Sequence, residues 1–151
     1  MTNETRMVAA IENGTVIDHI PSEKLFAIVR LLRLEELGRH KVFIGYNLDS
    51  QLMGSKSIIK VSDRYFTDAE LNQLSVVAPN VTLCIIRGYK VTEKKRVALP
   101  DTLRGIVRCN NPKCITNNEP MPTLFHHTTG SQVLRCHYCD KEQNISEVKL
   151  I

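Results

Sequence analysis

The sequence contains no tryptophan, and aromatic residues make up only 5% of its 151 residues. Any hydrophobic core must therefore be built from leucine, isoleucine and valine. The apolar share, 42%, is typical of a globular protein and excludes a chain that is disordered throughout. The formal net charge of +4 is too small to indicate a nucleic-acid partner by itself.

Long hydrophobic runs are missing as well. No apolar run approaches the roughly 20 residues that a bilayer crossing needs. The opening stretch MTNETRMVAA lacks the apolar segment of a secretory signal. These absences predict a soluble, cytoplasmic protein with no membrane partner. In such a reducing compartment, paired cysteines are more often metal ligands than disulfides.

Familiar catalytic motifs are also missing. The chain has no P-loop, no G-x-G-x-x-G motif and no G-x-S-x-G motif. Asp18 and His19 form the one tempting acid–base pair. Neighbours on a regular strand point to opposite faces, so these two side chains would not normally share a site. The sequence therefore favours a binding protein, with an enzyme as the rival hypothesis.

Cysteine is the informative residue of the last third. CNNPKC and CHYC are separated by 21 residues and supply Cys109, Cys114, Cys136 and Cys139. Four thiolates fill the tetrahedral shell of a structural zinc ion, so this spacing predicts one structural Zn²⁺ per chain. The alternatives are buried or disulfide-bonded cysteines, or substitution of a thiol by His126, His127 or His137. The isolated Cys84, in the apolar run VTLCII, is predicted to be a small buried hydrophobic residue.

The first hundred residues alternate between strand and helix patterns. Strands are predicted at 14–20, 41–48, 57–62 and 81–87, with an extension at 89–91. Ser22 is predicted to cap the first helix, and Thr67 with Glu70 to form a capping box for the second. The order β-α-β-β-α-β predicts an α+β fold of the ferredoxin-like (split βαβ) kind, with two helices on one face of an antiparallel sheet.

The composition changes at EKKRVALPD, residues 93–101, which is charged and aperiodic. We therefore predict one domain at 1–100 and a second at 101–151. Short strands within 105–109, 123–127, 132–136 and 144–151 predict a small all-β zinc-binding domain. Its six Lys/Arg and five Asp/Glu give +1, which four thiolates and Zn²⁺ turn into about −1. This near-neutral charge favours a protein partner over nucleic acid.

Basic residues in the first domain suggest an anion site. Lys56 and Lys60 lie near or on one strand, four residues apart and therefore on one face. Lys94, Lys95 and Arg96 follow the last strand. Together these side chains can surround a polyphosphate. The alternative is a solvated basic edge.

GTVIDHIP, IGYNL and MGSKSIIKV, followed by the C-x4-C and C-x2-C pairs, make the chain resemble the regulatory chain of bacterial aspartate carbamoyltransferase. The resemblance implies a non-catalytic chain that dimerises through a nucleotide-binding domain and attaches to catalytic trimers through a zinc domain. It implies an assembly of two catalytic trimers and three regulatory dimers. ATP would activate and CTP inhibit, with UTP acting together with CTP, to control pyrimidine synthesis.

The resemblance also assigns residues. Asp18 and His19 would belong to the nucleotide site, with His19 near the ribose or phosphates. Lys60 and Lys94 would meet the base–ribose region and the phosphates, with Lys56 and Arg96 nearby. The base pocket would be lined by Val8, Ile11, Ile86, Tyr89 and Val91. Asn111 and Asp140, beside the zinc ligands, would contact the catalytic chain.

Two departures from the family pattern bear on the nucleotide. The family often has an acidic residue at the position of Ala9 and an amide at that of Cys84, whose thiol cannot replace the hydrogen bonds of an amide. The rival hypothesis is a nucleic-acid-binding zinc ribbon, which would bind RNA or DNA in a salt-dependent manner and stack bases on aromatic residues. The scarcity of aromatic residues and the near-neutral metal domain argue against it.

Overall fold

The computed structural model describes residues 10–36 and 38–151. The chain separates into two compact units, and the boundary lies between Ala98 and Leu99. Val8 and Ala9 lie outside the described residues.

The first unit is built on a five-stranded antiparallel sheet. Its strands are β1 (Gly14–Ile20), β2 (Val42–Ser50), β3 (Gly54–Ser62), β4 (Thr82–Arg87) and β5 (Lys90–Arg96). The order across the sheet is β2-β3-β1-β4-β5. The helices α1 (Leu25–Leu31) and α2 (Asp68–Val77) complete the predicted β-α-β-β-α-β order. The α+β prediction is confirmed, and β5 is a full edge strand rather than a short extension.

The main core lies between the helices and one face of the sheet. Alternate residues of β1 and β3 supply Ile17, Ile59 and Val61, because successive strand side chains point to opposite faces. Leu25 and Ile28 of α1 belong to the same cluster. The fully buried members include Ile17, Ile20, Leu25, Ile28, Ile59, Leu74 and Val81. The core is thus aliphatic, as the shortage of aromatic residues requires.

Of the two helix caps predicted from the sequence, one is present in the structure and the other is not. Thr67 accepts a hydrogen bond from the Glu70 backbone, and the Glu70 side chain accepts one from the Thr67 backbone, so the predicted capping box at α2 is confirmed. The predicted Ser22 cap is wrong. Residues Ser22–Lys24 form a 3₁₀ turn before α1, and the Ser22 hydroxyl instead lies 3.0 Å from that of Ser57 on β3.

The sheet face opposite the helices is partly polar. It carries a second apolar cluster of Ile11, Val16, Ile58, Cys84 and Ile86. The prediction that Cys84 is buried is confirmed, since 5% of the residue is exposed. Asp18 on β1 and Lys56 and Lys60 on β3 are buried as well. Burial of three ionisable groups marks this face as a site rather than a plain core.

Gly14 allows β1 to lie close against β3. Its φ is +141°, and a Cβ built there would lie 2.0 Å from the backbone oxygen of Val61. Any other residue would push the two strands apart. The glycine therefore helps to fix the register in which Thr15 pairs with Val61 and Val16 with Lys60.

The second unit is all-β, as predicted. One sheet contains β6 (Thr102–Arg104), β8 (Leu124–His126), β9 (Val133–Cys136) and β10 (Glu142–Asn144), in the order β10-β9-β8-β6. A two-stranded sheet joins β7 (Val107–Arg108) to β11 (Lys149–Leu150). The small apolar centre of this unit contains, besides cysteines, the buried side chains of Leu103, Ile106, Val107, Phe125 and Leu134.

The longest helix among the described residues has 10 residues, which is too short to traverse a lipid bilayer.

Candidate functional site

The four cysteines of the second unit converge on one point. Their sulfur atoms, from Cys109, Cys114, Cys136 and Cys139, all lie within 4.8 Å of one another. Cys109 follows β7 and Cys114 precedes the 3₁₀ turn Ile115–Asn117. Cys136 is the last residue of β9, and Cys139 lies in the turn before β10. Two tight turns, each carrying two thiols, therefore face each other.

The spacing of the sulfur atoms fits a tetrahedral ion. The Cys109–Cys139 and Cys114–Cys136 Sγ–Sγ distances are both 3.7 Å. Ligands about 2.3 Å from a tetrahedral zinc ion lie about 3.8 Å from one another. A disulfide bond would need a distance of about 2.05 Å between the two sulfur atoms. The cysteines are therefore free thiols, and the disulfide alternative is excluded.

The pKa values of the thiols depend on their burial and on their neighbours. Burial, together with the neighbouring sulfur atoms, raises the pKa of Cys109 to about 12 and raises the pKa of Cys136. At Cys139, burial raises the pKa, but hydrogen bonds from Lys141, Asn111 and two thiols outweigh it and lower the pKa to about 7. At Cys109 and Cys136, loss of the proton therefore needs a positive ion beside the sulfur, and a donor set of four sulfur atoms suits a soft divalent metal.

The three histidines proposed as alternative ligands make other contacts. His126 Nε2 lies 2.9 Å from His137 Nδ1. His127 Nε2 lies 3.1 Å from the backbone oxygen of Ser131. Among residues 10–36 and 38–151, the group of side chains that could hold a metal ion consists of the four cysteines and includes no histidine.

The first unit contains a cavity of about 700 Å³ on the sheet face opposite the helices. This volume falls within the range of roughly 300–1,000 Å³ that is usual for small-molecule sites. The cavity is lined by Asp18, His19, Ser50, Gln51, Leu52, Lys56, Thr82, Cys84, Val91 and Lys94. The strands β1, β3, β4 and β5 and the β2–β3 hairpin tip all contribute to it.

A buried ion pair lies in the cavity wall. Lys56 Nζ lies 2.9 Å from Asp18 Oδ1, and the two side chains are 2% and 9% exposed. The same carboxylate oxygen accepts a 2.6 Å hydrogen bond from the His19 backbone N–H. Asp18 therefore neutralises Lys56 and also fixes the backbone of His19.

An irregularity in β1 explains how Asp18 and His19 reach one cavity. His19 has φ +56°, in the left-handed region. The pairing of β1 with β3 shifts between Ile17 and Ile20, which is the mark of a β-bulge. The strict alternation expected from the sequence fails at this point, so neighbouring side chains line the same space.

His19 is held by β4. Its Nδ1 lies 2.9 Å from Thr82 Oγ1. Burial lowers the pKa of His19, Lys56 and Lys94 lower it further, and Asp18 opposes them. The imidazole is therefore neutral at pH 7 and gains a proton only in more acidic solution or beside an added negative charge.

Two further residues face each other across β4 and β5. Cys84 lies opposite Lys94 in the strand register. Burial raises the pKa of Cys84, and the nearby charge of Lys94 reduces this increase. The thiol is therefore protonated at neutral pH. Lys94 thus contributes a cation to the cavity beside an uncharged, weakly hydrogen-bonding wall.

Of the residues predicted for the nucleotide site, five line the cavity: Asp18, His19, Lys56, Val91 and Lys94. Ile11 and Ile86 belong to the apolar cluster that contains Cys84. Lys60 is buried on β3, where burial lowers its pKa and Asp18 opposes that shift. Tyr89 is 67% exposed in the β4–β5 turn, and Arg96 lines a separate cavity beside α2.

Sequence reasoning missed four lining residues. Ser50, Gln51 and Leu52 come from the tip of the β2–β3 hairpin, and Thr82 from the start of β4. Thr82 lies opposite Asp18 in the antiparallel register. That pairing could have been derived once β1 and β4 were taken as neighbours, whereas the hairpin tip carries no sequence signal for a site.

Comparisons with known proteins agree with the two units. The family model described as aspartate carbamoyltransferase regulatory chain, allosteric domain, matches residues 6–98. The model described as aspartate carbamoyltransferase regulatory chain, metal binding domain, matches residues 101–149. The two family matches, together with the fold and the cysteine cluster, define a regulatory chain with an allosteric α+β domain and an all-β metal-binding domain.

Full-length relatives carry the same name. The aspartate carbamoyltransferase regulatory chain of Bacteroides thetaiotaomicron is 58% identical over 145 residues, which cover 95% of this chain and 94% of the relative. That of Phocaeicola vulgatus is 59% identical over 145 residues, covering 95% and 93%. That of Pyrococcus abyssi is 43% identical over 143 residues, covering 93% and 94%. This chain belongs to the family of aspartate carbamoyltransferase regulatory chains.

Proposed function

We propose that this chain binds ATP, CTP and UTP in the cavity between β1, β3, β4 and β5, and thereby regulates aspartate carbamoyltransferase and pyrimidine synthesis in the cytoplasm. The observation that carries the proposal is the meeting of Asp18, His19, Lys56 and Lys94 around one cavity in the domain that matches the allosteric family model. ATP would activate the enzyme, and CTP, together with UTP, would inhibit it.

The charges suggest which side chains would contact the phosphates of a nucleotide and which would contact its base. Lys56 is already paired with Asp18, so Lys94 and His19 are the groups that gain most from a phosphate. Lys60 lies opposite Val16, two residues before Asp18 on β1, and adds positive potential. Cys84 and Val91 form the apolar part of the wall, against which a base would pack. The phosphates then supply the affinity common to all three nucleotides, and the base supplies the difference.

The metal in this proposal is one structural Zn²⁺ per chain, held by Cys109, Cys114, Cys136 and Cys139. When bound, it supplies a cross-link between the two cysteine turns. No ligand position remains open for catalysis. The second unit has only a small apolar centre, so metal binding contributes directly to its folding free energy.

The metal-binding domain is proposed to contact the catalytic chain. Ile115 and Tyr138, next to ligands of the two cysteine pairs, are 50% and 40% exposed. Asp140 is also exposed, and its carboxylate lies 2.8 Å from Arg135 Nη1. Exposed apolar residues beside an exposed charged pair are suited to a protein interface, with an apolar centre and a polar rim. Asn111 and Asp140 are the polar contacts that the family resemblance assigns.

The free edge of β2 is the proposed dimer contact. Ile44 and Tyr46 of β2 are 44% and 55% exposed, and Phe26 of α1 is 57% exposed. The rings of Phe26 and Tyr46 lie 5.6 Å apart. An exposed apolar edge strand favours pairing with another strand. A second copy of this chain, paired here, would give the regulatory dimer, and three dimers would join two catalytic trimers.

Regulation then requires a difference in affinity. A nucleotide shifts the assembly only if it binds one quaternary state better than the other, typically by about 1–3 kcal/mol. The direct test is equilibrium binding of ATP, CTP and UTP to the purified chain, followed by enzyme assays after mixing with catalytic trimers. Saturable binding of all three, with opposite effects of ATP and CTP on activity, is the expected result. Absence of binding would overturn the proposal.

A further inference from the structure

Gln143 is a buried amide in the metal-binding domain, with 5% of the residue exposed. It is the central residue of β10. Its Nε2 donates to the Arg108 backbone oxygen over 3.2 Å, and its Oε1 accepts from the Asn110 backbone N–H over 3.1 Å. These two backbone groups flank Cys109, so one side chain holds the chain on both sides of a thiol.

The strand that carries Gln143 belongs to the second cysteine pair. β10 pairs with β9, and Gln143 lies opposite Leu134, two residues before Cys136. The Cys136 backbone N–H donates to the Lys141 backbone oxygen over 2.9 Å. Gln143 therefore links the backbone beside the first cysteine pair to the hairpin that carries the second pair.

The loop between Cys109 and Cys114 is held by two more amides. Asn117 Nδ2 donates to the backbone oxygens of Cys109 and Asn111 over 3.0 and 2.7 Å. Asn118 Nδ2 donates to those of Pro112 and Cys114 over 3.1 and 2.9 Å. Because this loop is already fixed internally, a contact that fixes one of its ends positions both of its thiols.

We propose that Gln143 is a positioning residue of the metal centre, which aligns the first cysteine pair with the second independently of the metal. The inference rests on the proposed zinc site. Without Gln143, the Arg108 carbonyl and the Asn110 N–H lose their partners, and the ion alone must hold the two turns together. Groups behind metal ligands typically change metal affinity by about 10–100-fold when they are removed.

The test compares two substitutions in the full-length chain. Gln143→Met retains the length of the side chain and removes both hydrogen bonds. Gln132→Met is the matched control, because Gln132 is an exposed residue at the start of the same hairpin. Zn²⁺ affinity, measured by competition with a chelating dye, should fall by about 10–100-fold in Gln143→Met. It should stay within about twofold of wild type in Gln132→Met.

A second readout separates positioning from a general loss of stability. Co²⁺ bound in place of Zn²⁺ reports the geometry of its ligands through its visible absorption spectrum. Positioning by Gln143 predicts an altered spectrum in Gln143→Met. If Gln143 only stabilises the domain, its loss would lower the unfolding temperature and leave the Co²⁺ spectrum unchanged, which would overturn the proposal.

Gln143→Glu provides the same measurement if Gln143→Met does not fold. It keeps an acceptor for Asn110 and loses the donor to Arg108, so weaker Zn²⁺ binding is again expected. Wild-type affinity in whichever variant folds would overturn the proposal. If the wild-type chain itself binds no Zn²⁺, the proposed zinc site fails, and that result is distinct from a failure confined to Gln143.

Discussion

Asp18 and Lys56 form a buried ion pair, with 2.9 Å between Oδ1 and Nζ, in the wall of the cavity. Removing one partner of a buried pair leaves the other charge unpaired, which typically destabilises a protein by about 3–5 kcal/mol. We expect Asp18→Asn to destabilise the first domain by an amount of this order, measured by urea denaturation. Asn keeps the acceptor for the His19 N–H, so the change isolates the charge.

The double variant Asp18→Asn/Lys56→Met is the control for this prediction. It removes both charges and should recover most of the lost stability, because no unpaired charge is left buried and no ion has to be desolvated on folding. Equal destabilisation of the single and double variants would mean that the two side chains do not act as a pair.

Lys94 and its neighbour Lys95 provide a matched comparison of two lysines. Lys94 lines the cavity, whereas Lys95 lines a separate one beside α2. A charge-assisted hydrogen bond contributes about 1.5–3 kcal/mol, so Lys94→Ala should weaken ATP and CTP binding by at least about tenfold. Lys95→Ala should change either affinity by less than about threefold. Calorimetric titration measures both, and equal effects of the two variants would contradict the assignment.

Lys60 gives a related prediction. Lys60→Ala should raise the concentrations of ATP and of CTP needed for half-maximal response, because the phosphates are common to both nucleotides. Enzyme assays of the reconstituted complex measure this response. Unchanged half-saturation for both would refute a role for Lys60 in the site.

Nucleotide affinity should rise as the solution becomes more acidic. Burial lowers the pKa of His19 below the ordinary 6.5, and a bound phosphate favours the protonated ring. Affinity for CTP should therefore increase as the pH falls through 6.5 and below. Comparison with His19→Gln removes the effect of phosphate protonation, which is the same for both proteins. A wild-type pH profile parallel to that of His19→Gln would contradict the prediction.

The same group has the opposite effect on folding. Because the pKa of His19 is lower in the folded chain, the unfolded chain binds more protons below pH 6.5. The contribution of neutral His19 to stability is therefore complete above pH 6.5 and is lost as the pH falls through the lowered pKa of the folded chain. Urea denaturation should show wild type losing stability relative to His19→Gln as the solution is acidified from neutral pH. A difference that does not change with pH would contradict this expectation.

Loss of one metal ligand should separate the two domains functionally. Cys139→Ser is expected to abolish Zn²⁺ retention and assembly with catalytic trimers while the first domain remains folded. Cys84→Ser is the matched control, since Cys84 lies outside the cysteine cluster. Metal analysis and gel filtration provide the readouts. Normal assembly of a metal-free Cys139→Ser chain would reject the prediction.

Sequence patterns predicted the features that depend on local or metal chemistry. The capping box at Thr67 follows from short-range rules, and the two cysteine pairs follow from the geometry of tetrahedral coordination. These signals are strong because the same residues that create the structure also mark it in the sequence.

The details of the cavity depend on long-range contacts and were less accessible. The left-handed backbone of His19 arises where β1 slips against β3, and nothing in DHIP specifies that slip. Ser22 has the chemistry of a cap, but a partner on β3 competes for its hydroxyl. Gln143 acquires its role only because the hairpin brings it beside Cys109.

The two borders of the five-stranded sheet differ in a way that limits growth. Every residue of β5 is exposed, and five of its seven residues are charged, whereas the β2 border presents Ile44 and Tyr46. A charged border resists the addition of further strands. If two copies paired along β2, the apolar edge of each copy would be buried and only the charged β5 edges would remain exposed. Such an association would stop at a closed dimer and would not extend into an open-ended fibre.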